Sequence, residues 1–295
     1  MNKLLKYGLA ILLIGFGIVL AVSITSNSNI FGTNENNYTL TEKSYAGDEF
    51  SSIDFDFDNR HVFITQSSDD QIHLTYYLHE KDELEYNDTE SELVFEISRK
   101  WYFNILSFDV FTNKEYFEVV LSLPTTTTLE NIDLATSNGV LNINVSNVFD
   151  AVDLQASNGR IDILNIEANS LVAMTSNGDI LIDDLAVHNS TNLKTSNGAI
   201  NIEYLTSKDL KVNTSNGRIN AENIISEDIN LDTSNGRIFL SVIGEKDDYR
   251  VTLSTSLGDK IYDGLIVQSG TINTSGTKSI DLDSSNGEVE VAFVE

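Results

Sequence analysis

The chain has 295 residues, enough for one long domain or two ordinary ones, and 18 basic against 45 acidic side chains give it a formal net charge of −27. That balance argues against nucleic acid, whose binding rests on clustered Lys and Arg, and against flat docking on anionic lipid. Cysteine is absent and Pro124 is the lone proline. No disulfide framework, thiolate metal site or cysteine nucleophile is therefore available, and the abundance of Asn, Ser, Thr, Ile and Asp suits an all-β chain.

Met1–Lys6 is short and basic through Lys3 and Lys6, and Tyr7–Ile24 is an uninterrupted run without a charge. Such a run is near the lower length limit for a membrane-spanning helix. Residues 7–24 are thus expected to form a transmembrane anchor, with residues 1–6 cytoplasmic and everything beyond exported. A cleaved signal peptide ending near Val19-Leu20-Ala21 is the alternative, although the apolar run exceeds a typical signal core. Residues 25–40, rich in Ser, Asn, Thr and Gly at their start, read as a flexible tether.

Residues 41–130 read as a strand-rich, aromatic cap. Ile53–Asp58 alternates apolar and acidic residues, and His61–Gln66, Gln71–Leu78, Leu93–Ser98, Ile105–Phe111 and Tyr116–Leu123 are further expected strands. Ser67–Asp70 reads as a turn and Lys81–Thr89 as a charged loop. Trp101, Tyr102, Phe103, Phe108, Phe111, Tyr116 and Phe117 concentrate aromatic character here, to close the first repeat or to form a binding patch.

From residue 131 to 295 one tetrapeptide governs the chain. Thr-Ser-Asn-Gly ends at Gly139, Gly178, Gly198, Gly217 and Gly236, with near copies ending at Gly159 and Gly287 and a degenerate one at Ser256-Leu257-Gly258. Up to Gly236 the interval is 19 or 20 residues, the mark of a stacked repeat. Leu134, Leu154, Ala173, Leu193, Val212 and Leu231 fill one column before the turn. Leu141, Ile161, Ile180, Ile200, Ile219 and Ile238 fill one after it. Period-two alternation on both sides gives two short strands per repeat, and Ile166, Leu185, Leu205 and Ile224 add an apolar position before a polar corner. Asn-Gly is expected at the turn because tight turns need positive φ. Constant repeat length favours a parallel β-solenoid (β-helix) of about 19–20 residues per coil, in which stacked Asn side chains form an amide ladder. An antiparallel β-meander with Asn-Gly hairpins is the alternative. Glu288, Glu290 and Glu295 read as charges guarding an exposed final edge.

Candidate chemistry is sparse. Asp54, Asp56 and Asp58 share one strand face and are weak calcium candidates. His61, His73, His79 and His188 lack ligand spacing for zinc. No nucleophile elbow and no phosphate-cradling loop is present. Leu123-Pro124-Thr125-Thr126-Thr127 starts like a sortase signal but lacks Gly at the fifth place. Arg160, Asp179, Arg218 and Arg237 follow Asn-Gly in one column and would be neighbours if coils stack. No cofactor and no catalytic residue is expected.

An anchor, a strand-rich region ending in Val119–Pro124 and an Asn-Gly series from Thr136 to Gly287 together resemble the bacterial β-strand-repeat family labelled putative adhesins, over roughly residues 50–295. The resemblance implies no catalytic residues, and some members look like membrane-anchored accessories of envelope-stress operons in Gram-positive bacteria. The expected function is a non-catalytic, single-pass membrane-anchored extracytoplasmic module of the cell envelope, with an unidentified envelope ligand or protein as partner. A stress-response accessory or sensor and, more remotely, a polysaccharide-acting β-helix enzyme are the alternatives.

Overall fold

The computed structural model describes residues 37–88, 91–99, 114–127 and 129–294. The apolar run 7–24, nearly all of the expected tether, the expected strand Ile105–Phe111 and the aromatics Trp101, Tyr102, Phe103, Phe108 and Phe111 lie outside them. Among the described residues there is no α-helix and no helix long and apolar enough to cross a membrane. The architecture is all-β and β-solenoid-like.

Successive repeats pair in parallel, which overturns the meander alternative. On the first side of each coil Leu134, Leu154, Ala173, Leu193, Val212 and Leu231 lie in register. On the second side Leu141, Ile161, Ile180, Ile200, Ile219 and Ile238 do the same. All of these side chains point inward and are fully or almost fully buried. One coil exposes too much apolar surface to stand alone, so each covers the next. The expected two strands per repeat become three sides. Residues 148–149, 167–168, 186–187, 205–207 and 224–225 form a short third side, also parallel. Between the second and third sides the chain turns at Asn165, Asp184, Tyr204 and Asn223, with φ of 58°, 55°, 54° and 57°.

The Asn-Gly corner is organised differently from the expectation. Its glycines do not adopt positive φ; among described glycines only Gly244 and Gly264 do. They are required by proximity. A Cβ on Gly159 would lie 1.5 Å from the carbonyl oxygen of Gly139, and one on Gly198 would lie 2.0 Å from that of Gly178. The carbonyl of one coil thus occupies the space of a side chain on the next. The same oxygen accepts the buried threonine hydroxyl one coil on. Thr175 donates to Gly159 O at 3.0 Å, Thr195 to Gly178 O at 2.9 Å, and Thr214 to Gly198 O at 3.1 Å. The expected asparagine ladder is present: Asn158 Nδ2 donates to Asn138 Oδ1, Asn177 to Asn158, Asn197 to Asn177, Asn216 to Asn197 and Asn235 to Asn216, at 2.8–2.9 Å.

Order in space departs from order in sequence at both ends. The strands Lys278–Asn286 and Val289–Val294 insert between the coil of Asn235 and the coil of Leu257. Asn286 continues the ladder onto Asn235 at 2.9 Å, while Thr255 donates to Gly287 O at 2.7 Å. Val289–Val291 is therefore paired on both edges, which corrects the reading of Glu288 and Glu290 as guards of an open edge. They are partners of Arg237 instead, Glu288 at 2.9 Å. At the other end Ser52–Phe57 lies between Glu92–Arg99 and Asn131–Thr136. Both ends finish in antiparallel strands: Asp82–Asn87 on Glu92–Arg99, Gln71–His79 and Tyr38–Ala46 beyond Glu118–Leu123, and the short Thr271–Ile272 and Leu265–Ile266 at the far end. Two expectations are corrected here. The charged loop Lys81–Thr89 contains the strand Asp82–Asn87, because Asp82 is buried against Arg60 at 2.6 Å. The tether stops short of residue 40, because Tyr38–Ala46 is a strand and Tyr38 stacks on Tyr116 with ring centroids 4.7 Å apart.

Among the described residues of the aromatic end, part of the ring content is interior packing. Phe55, Phe57 and Phe95 are buried with centroids 5.4–5.7 Å apart, an edge-on arrangement favoured by ring quadrupoles. Arg60 stands where later coils have glycine, since Gly139 approaches its carbonyl and no Asn-Gly coil precedes it.

If proximity rather than φ selects glycine, Gly198→Ala and Gly198→Asn should both destabilise by about 3 kcal/mol, the upper range for overpacking. Thermal unfolding should show a fall of roughly 6–10 °C for both. Tolerance of Asn, which enters the left-handed region easily, would restore the turn explanation.

Candidate binding groove

Three outward surfaces carry the residues singled out from sequence. On the first side, Asp54 and Asp56 project outward from Ser52–Phe57, and Asp58 sits half-buried beyond its end. Asp133 is the register neighbour of Asp54, and Glu96 that of Asp56. Partial desolvation against the sheet, then repulsion from Glu92, raises the Asp54 carboxyl above its ordinary value. Desolvation, then Asp54 and Asp58, raises Asp56. Desolvation, with Asp56 the largest of several neighbouring charges, raises Glu96. Desolvation, then Asp153, raises Asp133. These carboxylates are spread along columns, and no group of three or more His, Asp or Glu among the described residues is placed to hold a metal ion.

The histidines are dispersed. His61 Nδ1 accepts the Val140 amide at 3.0 Å, His73 bridges Asp69 and Ser44 at 2.9 Å each, His79 Nδ1 accepts the Lys81 amide at 3.0 Å, and His188 meets Glu167 at 2.7 Å. On the second side Arg160 and Asp179 are adjacent as the repeat implies, but they do not pair. Arg160 Nε turns along its own strand to Asp162 at 2.8 Å, and Asp179 accepts the Ala199 amide at 2.7 Å. Arg237 is held by Glu288 and Glu290, and Arg218 is exposed beside it.

The third side holds a feature that sequence reading missed. A groove of about 460 Å³ runs along the coil axis between the left-handed corner and the outward column of the third side. The corner supplies Asn165, Asp184, Tyr204 and Asn223, and the outward column supplies Val148, Glu167, Ala186, Thr206, Ile225 and Ile243. None of its lining residues is basic. Val148, Tyr204 and Ile225 are 57%, 52% and 45% exposed. Asn and Asp enter the left-handed region readily, whereas a bulky tyrosine does so rarely. Holding Tyr204 there costs about 1–3 kcal/mol. One signal is visible in the sequence: in the column before Ile166, Leu185, Leu205 and Ile224, an aromatic stands where the other repeats carry Asn or Asp.

A family model described as Toastrack DUF4097 matches residues 50–292. Among solved structures, a putative adhesin from Parabacteroides merdae ATCC 43184 is 14% identical, with 87% of this chain and 97% of that chain covered at a TM-score of 0.50. A putative adhesin from Parabacteroides distasonis ATCC 8503 is 13% identical, with 87% and 97% covered at a TM-score of 0.49. At 14% identity the likeness to the Parabacteroides merdae protein shows the fold alone. No curated protein matches the chain.

The raised carboxylates set a pH dependence. A carboxyl whose folded value lies above its unfolded one binds protons more tightly when folded, so stability rises as pH falls through that interval. As pH drops from 7 toward about 5, approaching the ordinary values of ~3.9 and ~4.3, the unfolding midpoint should rise. The rise should shrink in the double variant Asp54→Asn, Asp56→Asn. An equal rise in both proteins would show that these residues do not govern it.

Proposed function

The chain belongs to the Toastrack DUF4097 family, and from that premise we propose that it is a non-catalytic binding module of the bacterial cell envelope, held outside the membrane by residues 7–24. The observation that carries this reading is the uncharged run Tyr7–Ile24 behind Lys3 and Lys6, joined through a short polar segment to one β-solenoid-like body that starts at Tyr38. Two basic residues on the near side of such a run favour their own retention in the cytoplasm and export of the chain beyond it. The outer surfaces support binding over catalysis. Asp69, His73 and Ser44 do meet, but in the open beside the outer strand pair Tyr38–Ala46 and Gln71–His79. The other described histidines are dispersed, each engaged with a local partner, and the outward carboxylates are spread along columns, whereas catalysis requires an acid, a base or a nucleophile converging beside a site that can hold a substrate. The groove of the third side offers a long, shallow, open surface of the kind that suits recognition of an extended partner.

The reading is tested by expressing the full chain with a C-terminal epitope in bacterial cells. The epitope should fractionate with membranes, be cut by protease added to intact protoplasts, and belong to a protein whose first residue is Met1. A protected epitope would overturn the export, and a mature N-terminus near Val22 would overturn the anchor.

A further inference from the structure

We propose that the third-side groove binds a neutral, linear oligosaccharide, with the exposed ring of Tyr204 as its stacking platform. This deepens the binding-module reading and rests on it for the setting in which the sugar would be met. Three observations combine. The first is a side chain held against its own preference. Tyr204 occupies a corner that neighbouring repeats fill with Asn165, Asp184 and Asn223, at a φ of 54°, and leaves half its surface in solvent. Strain retained in an exposed residue, where packing gains little from it, points to a role outside the fold.

The second is charge. Glu167 and Asp184 line the groove, no basic residue does, and the chain as a whole is at −27. A polyanion, whether nucleic acid, phosphopolymer or acidic lipid, meets repulsion there. A neutral partner does not, and its hydroxyls can donate to these carboxylates.

The third is shape and hydrogen-bonding supply. The groove spans the outward positions from Val148 to Ile243 across six coils, on the order of 24 Å at about 4.8 Å per coil. On this side the backbone is paired between coils from Glu167 to Ile225, so an extended peptide finds no free strand edge there to lengthen. What remains on offer is a row of side-chain amides and carboxylates beside one aromatic face. A pyranose chain, with equatorial hydroxyls at its rim and C–H groups on its face, matches that set.

The test is calorimetric titration of the full chain, in a detergent without a sugar headgroup, with chitotetraose, cellotetraose and tetralysine as probes. At least one tetrasaccharide should bind. In Tyr204→Asn its affinity should fall tenfold or more while the thermal midpoint rises, since Asn relieves the strained corner; a merely structural tyrosine would lower both. Absence of binding by both tetrasaccharides, or unchanged affinity in Tyr204→Asn, overturns the proposal. So does tetralysine binding that survives Tyr204→Asn but is lost in Glu167→Gln, Asp184→Asn, which would assign the groove to a cationic peptide. Sugar binding by a chain whose epitope proves cytoplasmic would leave this assignment standing and remove the envelope reading alone.

Discussion

The structure depends on how closely two coils approach at the Asn-Gly corner. A carbonyl oxygen sits where the next coil would otherwise carry a Cβ, and only glycine leaves that room. Once it is there, the oxygen becomes a buried acceptor and must be satisfied. The threonine hydroxyl three residues before the next glycine does so, at 2.9–3.1 Å in four consecutive coils. The exposed asparagines then chain amide to amide along the same corner. Three positions of the tetrapeptide thus answer one steric condition, and register is fixed by it: a one-residue slip would drive a side chain into the carbonyl and turn the aliphatic columns outward.

A stack held this way has two ends that must not extend further. Both are solved by reordering the chain. The last coil in sequence lies one place inside, between Ile238–Ile243 and Lys260–Tyr262 on its second side. The degenerate Ser256-Leu257-Gly258 coil is pushed outermost, and there it needs no Asn to continue the ladder. At the opposite end Arg60 replaces glycine and turns its guanidinium into the cap, to buried Asp82 at 2.6 Å and to the Tyr116 carbonyl. Antiparallel strands then cover the parallel edges at each end.

These features also explain which parts of the fold are legible in the sequence. The aliphatic columns, the parallel stack and the asparagine ladder come from period-two alternation and a fixed interval, both local properties of the chain. The reason for glycine is not legible, because a sequence cannot distinguish a residue needed for its φ from one needed for its missing Cβ; only the neighbouring coil does that. The third side is hidden because it is only about three residues long, as in Leu185-Ala186-Val187 with its ends inward and its middle outward, too short for alternation to stand out in the sequence. Glu288 and Glu290 resemble edge guards only if the end of the chain is equated with the end of the stack. Asp82 looks like a loop residue because its partner, Arg60, lies across the cap. Of the candidate groove, only Tyr204's anomalous place among Asn and Asp is visible; its exposure and its neighbours require the fold.

A simple sequential solenoid would not share the reordering of coils at the C-terminal end, and the absence of native cysteine makes that reordering directly measurable. Thr233 is in register with Ser284, and Thr255 with Ser284 from the other side. Exposed Ser234 and Ser285 are therefore adjacent, and Ser234 and Ser256 are two coils apart, roughly 9.6 Å at ~4.8 Å per coil. A disulfide needs Cα atoms within about 7 Å. Paired cysteines at Ser234 and Ser285 should oxidise to a cross-link, while the pair at Ser234 and Ser256 should not. Cross-linking of the second pair and not the first would contradict the arrangement on which the stack, its glycine corner and its capped ends rest.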